Sequence, residues 1–342
     1  RCVAARFACY SPFPYYNIES TARLEVVIMW KYTGVNECNE FLLSLDLLNC
    51  KDKRKYIKIL YTLANSQEKN YREFKIKKRS GAWRTIYEPS KILKFVQRNI
   101  LNNVLLERPI SMYAKAYYPG LSLNDNAMMH VNKKMILKLD IKDFFNNISF
   151  MSIYKACFPI EYYPFSVGML LTNLCTLNDH LVQGAPTSAY ISNLVMRDFD
   201  ENVGRFAEKF DISYTRYSDD MTFSGEFEPS IIIREVRQEL CKLGLRLNDK
   251  KTMVIKNSAC QKVTGIVVNK KMQVSLNYRK KIRQEIYYIK KFGLNEHLNR
   301  LNIKNSEKYL NSLLGRILFV LQVDPNNQEF RNYKDIVIKV KS

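Results

Sequence analysis

The sequence has few residues that could build a zinc site. It contains only three histidines and eight cysteines among 342 residues. The cysteines are scattered, with no Cys-x-x-Cys pair and no Cys/His cluster, whereas structural zinc sites use closely spaced ligands. We therefore expect no zinc centre. Scattered thiols fit a reducing cytosol, in which most of them serve as small apolar core residues.

Long apolar runs are also missing. No stretch approaches the roughly 18 residues that a membrane-spanning helix needs, so we expect no membrane partner. Residues 1–28 lack the apolar core of a secretion signal followed by small residues, and the sequence does not predict export. The expected location is the cytoplasm, and the role of residues 1–28 is not predicted.

Acidic residues are scarce relative to basic ones. The chain has 33 Asp and Glu against 54 Lys and Arg, which gives a net charge of +21. Such an excess indicates a polyanionic partner, and an aromatic content of 12% favours nucleic acid because rings stack on bases. Residues 246–316 alone carry 17 Lys and Arg against four Asp and Glu, with tyrosines between them. This segment is predicted to bind a phosphate backbone.

The apolar pattern predicts an α+β protein with irregularly interleaved helices and strands. Alternating runs on either side of Ser80 and Gly81 predict a β-hairpin. Residues 134–139 are a buried-strand candidate that ends directly before Asp140. The C-terminal part predicts two or three helices that end near Pro325, before a short strand-like tail. Apolar residues recur at helical spacing in four earlier segments: 36–63, 90–105, 188–207 and 231–243.

Two adjacent aspartates lie in the middle of an aromatic and β-branched segment. Residues 214–224 (YTRYSDDMTFS) predict a β-hairpin with Asp219 and Asp220 at or next to its turn. Like charges this close repel each other unless a cation neutralises them, although a lone Asp-Asp pair is also common in solvated turns. Asp140 supplies a third carboxylate. Three carboxylates on two β-elements could bind two Mg²⁺ ions, one at a 3′-hydroxyl and one at a triphosphate.

In order and spacing, these segments resemble those of reverse transcriptases. Residues 140–145 (DIKDFF), 183–188 (QGAPTS) and 217–220 (YSDD) match motifs A, B and C of that family. Residues 77–84 resemble its fingers hairpin, and residues 247–252 (LNDKKT) resemble motif D. The resemblance implies a right-hand polymerase architecture with fingers, palm and a helical thumb. It also implies RNA-directed DNA polymerase activity with two Mg²⁺ ions, for which Mn²⁺ could substitute.

Two shorter segments narrow the resemblance to the reverse transcriptases of bacterial retrons. Residues 126–130 (NAMMH) match the NAxxH segment of these enzymes, and residues 263–265 (VTG) match their VTG segment. The resemblance covers roughly residues 70–320. The chain departs from the common pattern at Ser218, where many retron enzymes have alanine, and at Ala189, where proline is common. We expect little effect on the chemistry from either departure.

The resemblance implies roles in catalysis for the matching residues. Asp140, Asp219 and Asp220 would be the metal-binding carboxylates, and the main-chain carbonyl of Ile141 would add a ligand. Lys251 would either protonate the pyrophosphate leaving group or only contact a phosphate.

Five residues are expected to bind the incoming deoxynucleoside triphosphate. Lys77 and Arg84 would hold its phosphates. Gln183 and Gly184 would line its pocket, where glycine permits a close approach of the backbone. Phe145 would lie under the sugar and exclude a 2′-hydroxyl, and simple core packing is the alternative for this residue.

RNA recognition is expected in two places. Asn126 and His130 would have a structural or an RNA-binding role, but not a catalytic one. The basic thumb would contact an RNA stem by its shape and its 2′-hydroxyls. Its candidate residues are Arg279, Lys280, Lys281, Arg283, Tyr287, Lys290 and Lys291.

The expected domain boundaries follow the same resemblance. Residues 1–35 would be an N-terminal segment of unassigned role, residues 36–133 the N-terminal helices and fingers, residues 134–265 the palm and residues 266–342 the basic thumb. A finger-derived insert in the palm is expected at about 150–185.

As a retron enzyme, the chain would copy part of a cognate structured noncoding RNA into multicopy single-stranded DNA. Priming from a guanosine 2′-hydroxyl of that RNA would give a branched RNA–DNA. The resemblance also implies a bacterial cytoplasmic protein that acts in phage defence with a separate effector protein. Two alternatives stay open: a reverse transcriptase of another bacterial class, of the group II intron or abortive-infection type, and a catalytically silent RNA-binding relative.

Overall fold

The computed structural model of this protein describes residues 33–77, 81 and 83–341. The expectations about residues 1–28 and about the tip residue Ser80 lie outside the described residues. Inside them, helices alternate irregularly with short antiparallel strands, which confirms the predicted mixture of helix and sheet. No helix in this part of the chain is both long and apolar enough to cross a membrane.

Helices begin the described chain. The predicted helical segment at 36–63 is interrupted, because Asp46 adopts a left-handed φ of 48°. Asp52 then caps a second helix by accepting a hydrogen bond from the Lys55 amide at 3.0 Å. Ser90 caps the third helix, as predicted. These helices are α1 (Val35–Ser44), α2 (Lys53–Asn65) and α3 (Lys91–Ile100), the last continued by a π-helical turn, Leu101–Leu105.

The predicted hairpin lies between α2 and α3. Strands β1 (Tyr71–Lys77) and β2 (Trp83–Pro89) pair in antiparallel fashion along their whole length. Most side chains of the hairpin are exposed. Among the hairpin residues that the structure describes, those at its base pack on the rest of the protein, where Tyr71 and Tyr87 contact a small apolar cluster that includes Val182. The two described strands are therefore anchored at the base of the hairpin and mostly exposed beyond it.

The chain between residues 120 and 210 supplies one long strand and most of the central helices. The predicted helix at 188–207 is two helices, because the chain leaves helical geometry at Met196. The elements here are α4 (Leu123–Met128), β3 (Met135–Asp140), α5 (Phe144–Asn147), α6 (Phe150–Cys157), α7 (Phe165–Cys175), the short strands β4 (Thr176–Leu177) and β5 (His180–Leu181), α8 (Ser188–Val195) and α9 (Arg197–Glu208).

A four-stranded antiparallel sheet lies at the centre of the described chain. Leu137, Met221 and Phe223 of this sheet are fully buried in the main hydrophobic core, which draws on residues from Cys38 to Leu247. Besides β3, the strands are β6 (Ser213–Tyr217), β7 (Asp220–Gly225) and β8 (Met253–Lys256), in the order β6-β7-β3-β8, and helix α10 (Pro229–Lys242) precedes β8.

A second hydrophobic core lies in the C-terminal part. The prediction of a strand-like tail after Pro325 is wrong, because these residues form a helix. Its buried residues Phe330 and Val337 are seven positions apart and therefore lie on the same face of the helix. Ala127 and Ile136 also belong to this core and connect it to the earlier part of the chain. The elements are β9 (Lys262–Val263), β10 (Ile266–Val267), β11 (Gln273–Val274), α11 (Leu276–Phe292), α12 (Leu294–Arg300), α13 (Ser306–Val323) and α14 (Gln328–Lys341).

Candidate active site

The three aspartates predicted to bind metal lie at one end of the central sheet. Strand β3 ends at Asp140, whose register partner in β7 is Asp220. The β6–β7 hairpin turns through only two residues, Ser218 and Asp219. The amide of Ile141 donates a hydrogen bond to the carbonyl of Asp219 at 3.0 Å. This bond attaches the turn to the end of β3, so the turn and Asp140 are held side by side.

Asp140 is enclosed by a second segment of the chain. Its side chain is only 6% exposed. Lys251 Nζ donates to Asp140 Oδ2 at 2.6 Å, and Asn248 Nδ2 donates to Asp140 Oδ1 at 3.1 Å. The Asn248 amide also donates to the Asp140 carbonyl at 2.8 Å. The structure thus brings Lys251 to the carboxylates. Asn248 was not predicted, although it lies three residues before Lys251 in the segment that resembles motif D.

The electrostatics of the site reflect crowded negative charge. Asp220 is accessible to solvent, yet the enclosing protein and the charges of Asp219 and Asp140 raise its pKa, in spite of the opposing effect of Lys138. The hydrogen bond to Asp140 raises the pKa of Lys251, so this ammonium group stays charged. One cation therefore lies among the three carboxylates.

Carboxylates are suitable ligands for a hard divalent cation, but the three side chains are not positioned to coordinate one ion together. In residues 33–77, 81 and 83–341, no group of three or more His, Cys, Asp or Glu side chains is placed to hold a metal ion. The Lys251 ammonium lies on Asp140 instead. Carboxylate oxygens are the ligands that Mg²⁺ prefers, and the raised pKa of Asp220 marks negative charge that a cation would neutralise. The metal site at Asp140, Ile141, Asp219 and Asp220 stays a prediction.

The predicted nucleotide-binding segments contact each other at the base of the β1–β2 hairpin. The Tyr87 amide donates to the carbonyl of Gln183 at 2.9 Å. Gly184 has a φ of +123°, and a Cβ at this position would lie 2.5 Å from the Tyr87 carbonyl oxygen and 3.0 Å from Cγ2 of Ile86. Only glycine permits this approach, so strand β2 packs directly on the Gln183–Gly184 backbone.

The remaining predicted nucleotide-binding side chains differ in exposure. Lys77 and Arg84 are exposed on the hairpin, and neither has an ion-pair partner among the residues that the structure describes. Phe145 is half-buried in α5, with its ring 5.3 Å from that of Phe144 in an edge-on contact. Both alternatives for Phe145, the sugar contact and core packing, stay open.

Asn126 and His130 lie in the interior and do not reach the surface. His130 is fully buried, with its ring nitrogens 2.7 Å from the hydroxyls of Thr215 and Ser224. Burial, aided by the charge of a nearby lysine, lowers the pKa of His130 to about 3, so the ring is neutral. Asn126 Nδ2 donates to Thr264 Oγ1 at 3.4 Å, so the two retron-like segments touch. This placement favours the structural alternative over direct RNA contact.

The predicted RNA-binding residues of α11 fall into two groups. Arg283 is half-buried and donates two hydrogen bonds of 2.6 Å to Glu329 in α14. Arg279 is half-buried and donates to Gln273 at 3.0 Å. These two arginines therefore tie α11 to its neighbours. The exposed residues of the set are Lys280, Lys281, Tyr287, Lys290 and Lys291.

A buried ion pair directly before the aspartate turn was missed. Arg216 and Asp200 are fully buried, with Arg216 Nη2 2.6 Å and Nε 2.8 Å from the two carboxylate oxygens of Asp200. The one sequence signal is a charged residue inside an otherwise aromatic and β-branched strand. Its partner on α9 lies 16 residues earlier, and no local pattern could identify it.

Comparison with known proteins identifies the class. The family described as "Reverse transcriptase (RNA-dependent DNA polymerase)" matches residues 76–308. The chain is 30% identical over 271 residues to the retron Ec83 reverse transcriptase of Escherichia coli, covering 75% of this chain and 84% of that protein. It is 29% identical over 246 residues to the retron Ec86 reverse transcriptase of Escherichia coli, covering 70% of this chain and 76% of that protein.

Two further similarities cover a smaller share of the matched protein. The retron Mx65 reverse transcriptase of Myxococcus xanthus is 31% identical over 254 residues, which cover 66% of this chain but only 58% of that protein. A solved telomerase structure from Candida albicans aligns over 84% of this chain and 65% of that chain, with 12% identity and a TM-score of 0.43, too low to establish a shared fold. On the family match and the relatives, this chain belongs to the reverse transcriptases, and among them to those of bacterial retrons.

Proposed function

We propose that this protein is an RNA-directed DNA polymerase whose fingers, palm and thumb are formed by residues 36–133, 134–265 and 266–342. One observation carries the proposal: Asp140 and the Asp219–Asp220 turn lie side by side at the end of the central sheet. In a chain of the reverse transcriptase family, such a cluster of carboxylates is the expected centre of nucleotidyl transfer.

The carboxylates of Asp140, Asp219 and Asp220 would hold Mg²⁺, or Mn²⁺ in its place, together with the carbonyl of Ile141. Two such ions, when bound, would supply Lewis acidity at the attacking 3′-hydroxyl and at the triphosphate. Lys251 is kept in its charged form next to Asp140. It would therefore hydrogen-bond the leaving pyrophosphate or donate a proton to it.

The incoming deoxynucleoside triphosphate would bind between the hairpin and the Gln183–Gly184 segment. The Tyr87–Gln183 hydrogen bond fixes the base of strand β2 on that segment, which supports this assignment. The exposed cations Lys77 and Arg84 would contact the phosphates. Phe145 would lie under the sugar and exclude a 2′-hydroxyl by steric contact.

The RNA would be bound by the exposed face of α11 and, in the retron context, would be both template and primer. Lys280, Lys281, Lys290 and Lys291 supply charge there, and the exposed ring of Tyr287 can stack or contact the backbone. The product would be a multicopy single-stranded DNA joined to the RNA through a 2′-hydroxyl. A role in phage defence with a separate effector protein completes the proposal, and it rests on the retron relatives alone.

Substitution of Asp219 tests the polymerase activity. Asp219→Asn should lower the rate of RNA-templated primer extension by about a hundredfold or more, because several kcal/mol of charge stabilisation would be lost. Asp211→Asn is the matched control: Asp211 lies before strand β6, remote from the turn, with a φ of 54° that Asn also tolerates. Unchanged extension by Asp219→Asn would exclude the carboxylate centre.

The retron assignment is tested by the nucleic acid that copurifies with the protein. Sequencing should recover one structured RNA joined covalently to single-stranded DNA, and a 2′,5′-debranching enzyme should separate the two. Wild-type protein supplied with that RNA and deoxynucleoside triphosphates should rebuild the branch, whereas Asp219→Asn should not. Recovery of mixed cellular RNA without a branch would count against the retron role and leave the polymerase proposal standing.

A further inference from the structure

The turn that carries Asp219 and leads into Asp220 has an unfavourable backbone conformation for its sequence. Ser218 is the first residue of the two-residue loop and has a φ of +62°, whereas Asp219 does not have a positive φ. A positive φ at the first position alone is the pattern of a type II′ turn, in which glycine is preferred. A side chain makes this conformation costly, and such residues persist where their surroundings hold them. Ser218 is only 5% exposed, so its surroundings can do so.

Arg216 holds the main chain of this turn. Its Nη1 donates to the Ser218 carbonyl at 2.9 Å, while Nε and Nη2 are bound to Asp200. Nη2 also donates to Asn193 Oδ1 at 3.2 Å. A guanidinium is planar and rigid, so fixing two of its nitrogens on Asp200 also fixes the direction of the third. The position of the Ser218 carbonyl is therefore set from the buried side of the sheet.

Tyr117 holds the side chain of the same residue. Its hydroxyl donates to Ser218 Oγ at 3.0 Å. Tyr117 itself has a φ of +63°, which is uncommon for an aromatic residue. Such a backbone conformation needs support from the surrounding structure. That support comes from Asn193, whose Nδ2 donates to the neighbouring Ala116 carbonyl at 2.7 Å. One buried asparagine thus bonds Arg216 and the chain that carries Tyr117.

We propose that Arg216 and Tyr117 are positioning residues that hold Ser218 at its carbonyl and its hydroxyl, and that they thereby fix the Asp219–Asp220 carboxylates beside Asp140. The inference rests on the proposed polymerase function for its consequence, but the contacts themselves exist without substrate. Neither residue is proposed to touch the reacting atoms. They act on the orientation of the carboxylates, so their loss should weaken cation binding and slow the chemical step.

The Tyr117 contact is tested with substitutions that remove one hydroxyl each. Tyr117→Phe and Ser218→Ala delete the two ends of the same hydrogen bond, and the double variant completes the cycle. The loss expected in Ser218→Ala replaces the sequence-based expectation of little effect at this position, because the structure gives the hydroxyl a partner. Tyr118→Phe is the matched control. Tyr118 is 39% exposed against 43% for Tyr117, and in the described part of the chain its hydroxyl makes no hydrogen bond. Its ring stacks on Tyr190, which the substitution preserves.

The Arg216 contact is tested with Arg216→Lys. The ammonium group keeps the charge opposite Asp200, but it cannot span Asp200 and the Ser218 carbonyl as the guanidinium does. This buried site is sensitive to change, so Tyr214→Phe serves as a milder second variant. It removes only the hydroxyl that donates to Asp200 Oδ1 at 2.8 Å. If Arg216→Lys does not fold, Tyr214→Phe decides this half of the proposal.

Three readouts separate positioning from general stability. Amide hydrogen exchange of the peptide spanning residues 213–225 in the metal-free protein should become faster in the hydroxyl and Arg216 variants. The Mg²⁺ dissociation constant, measured by titration calorimetry without substrate, should rise about two- to tenfold, the effect of one hydrogen bond of ordinary net strength. The kcat for primer extension should fall by a similar factor, with KM for the nucleotide unchanged. Tyr118→Phe should match the wild type throughout.

The double variant should resemble either single hydroxyl variant, because both remove the same bond. Wild-type exchange and wild-type Mg²⁺ affinity in Tyr117→Phe, or additive effects in the double variant, would overturn the Tyr117 half. The Arg216 half would be overturned if Arg216→Lys lowered the melting temperature but left amide exchange and Mg²⁺ affinity at the wild-type values. If Arg216→Lys does not fold, the same result in Tyr214→Phe would overturn it. Failure of the polymerase proposal is distinguishable, because wild-type protein would then not extend a primer while exchange and cation binding still report on the turn.

Discussion

Gly184→Ala is expected to impair both stability and nucleotide binding, for a reason that the backbone makes explicit. The alanine Cβ would lie 2.5 Å from the Tyr87 carbonyl oxygen, about 1 Å short of an ordinary contact. The clash is with main chain, so no side-chain rotation relieves it. Strand β2 has to move away from the Gln183–Gly184 segment, and the Tyr87–Gln183 hydrogen bond of 2.9 Å has to lengthen or break.

Two costs add at this position, and a second glycine provides a control that lacks the clash. An L side chain at the positive φ of Gly184 costs about 1–2 kcal/mol, and overpacking against fixed main chain adds about 1–3 kcal/mol. Gly244, which follows α10, also has a positive φ (+71°), but a Cβ there would meet nothing within 4 Å. Gly244→Ala should therefore carry the backbone cost alone. The excess loss of unfolding free energy in Gly184→Ala over Gly244→Ala measures the clash together with the extra strain of the larger φ at Gly184, +123° against +71°.

The effect on activity follows from the two predicted nucleotide-binding residues on either side of the clash. Arg84 lies on the displaced strand and Gln183 on the segment it leaves, so the two predicted nucleotide contacts would separate. A displacement of about 1 Å in a reacting geometry can cost up to about a hundredfold in rate. Primer extension with varied nucleotide should show KM raised at least about tenfold in Gly184→Ala and unchanged in Gly244→Ala. Equal unfolding free energies and equal KM values in the two variants would refute this reasoning.

Two further predictions concern pH. The pKa of Asp220 is raised in the folded protein. The contribution of this residue to the free energy of unfolding is therefore favourable in acid and is lost as the pH rises through that raised pKa. Asp220→Asn should therefore unfold at a higher temperature than the metal-free wild type at pH 7 but not near pH 4, and an equal difference at both pH values would contradict this. Burial lowers the pKa of His130 to about 3, so the wild type should lose stability as pH falls below about 6.5 toward 3. His130→Gln should have a free energy of unfolding about 1–3 kcal/mol lower than the wild type at pH 7, measured by urea unfolding. Its free energy of unfolding should also change less with pH between about 6.5 and 3. A pH dependence as steep as that of the wild type would count against the buried neutral ring.

The elements that the sequence predicted well are those whose signal is local. Alternating residues around a polar break predicted the β6–β7 hairpin, and an apolar run before Asp140 predicted strand β3. The pairing of β3 with β7 was not predicted, because the sequence only placed the three carboxylates on two β-elements. The break of the 188–207 helix at Met196 and the helical tail after Pro325 were missed. In the tail, a run of alternating β-branched residues gave a strand-like pattern, and packing of its seven-residue repeat on α13 overrode it.

The contacts of the candidate site were the least predictable part. Asn248 and Lys251 both bond Asp140 from a segment more than one hundred residues later. The resemblance pointed to Lys251 only. Arg216 and Asp200 come from a strand and a helix that meet through tertiary packing. Arg216 stands out as a charge in an aromatic and β-branched strand, but nothing in the sequence marks Asp200 as its partner. Burial of a charge is decided by the whole fold, which is why neither composition nor spacing could reveal this pair.

The buried polar groups explain how like charges are kept together at the turn. His130 bonds a hydroxyl of each hairpin strand on one face of the sheet, and Arg216 bonds Asp200 on the other. A shift of the hairpin register by one residue would turn each of these side chains to the wrong face and leave polar groups unpaired in the interior. The polar contacts therefore fix the register, and the register puts Asp220 opposite Asp140. The repulsion that raises the pKa of Asp220 opposes this arrangement, so a hairpin without either contact should relax by moving the two carboxylates apart.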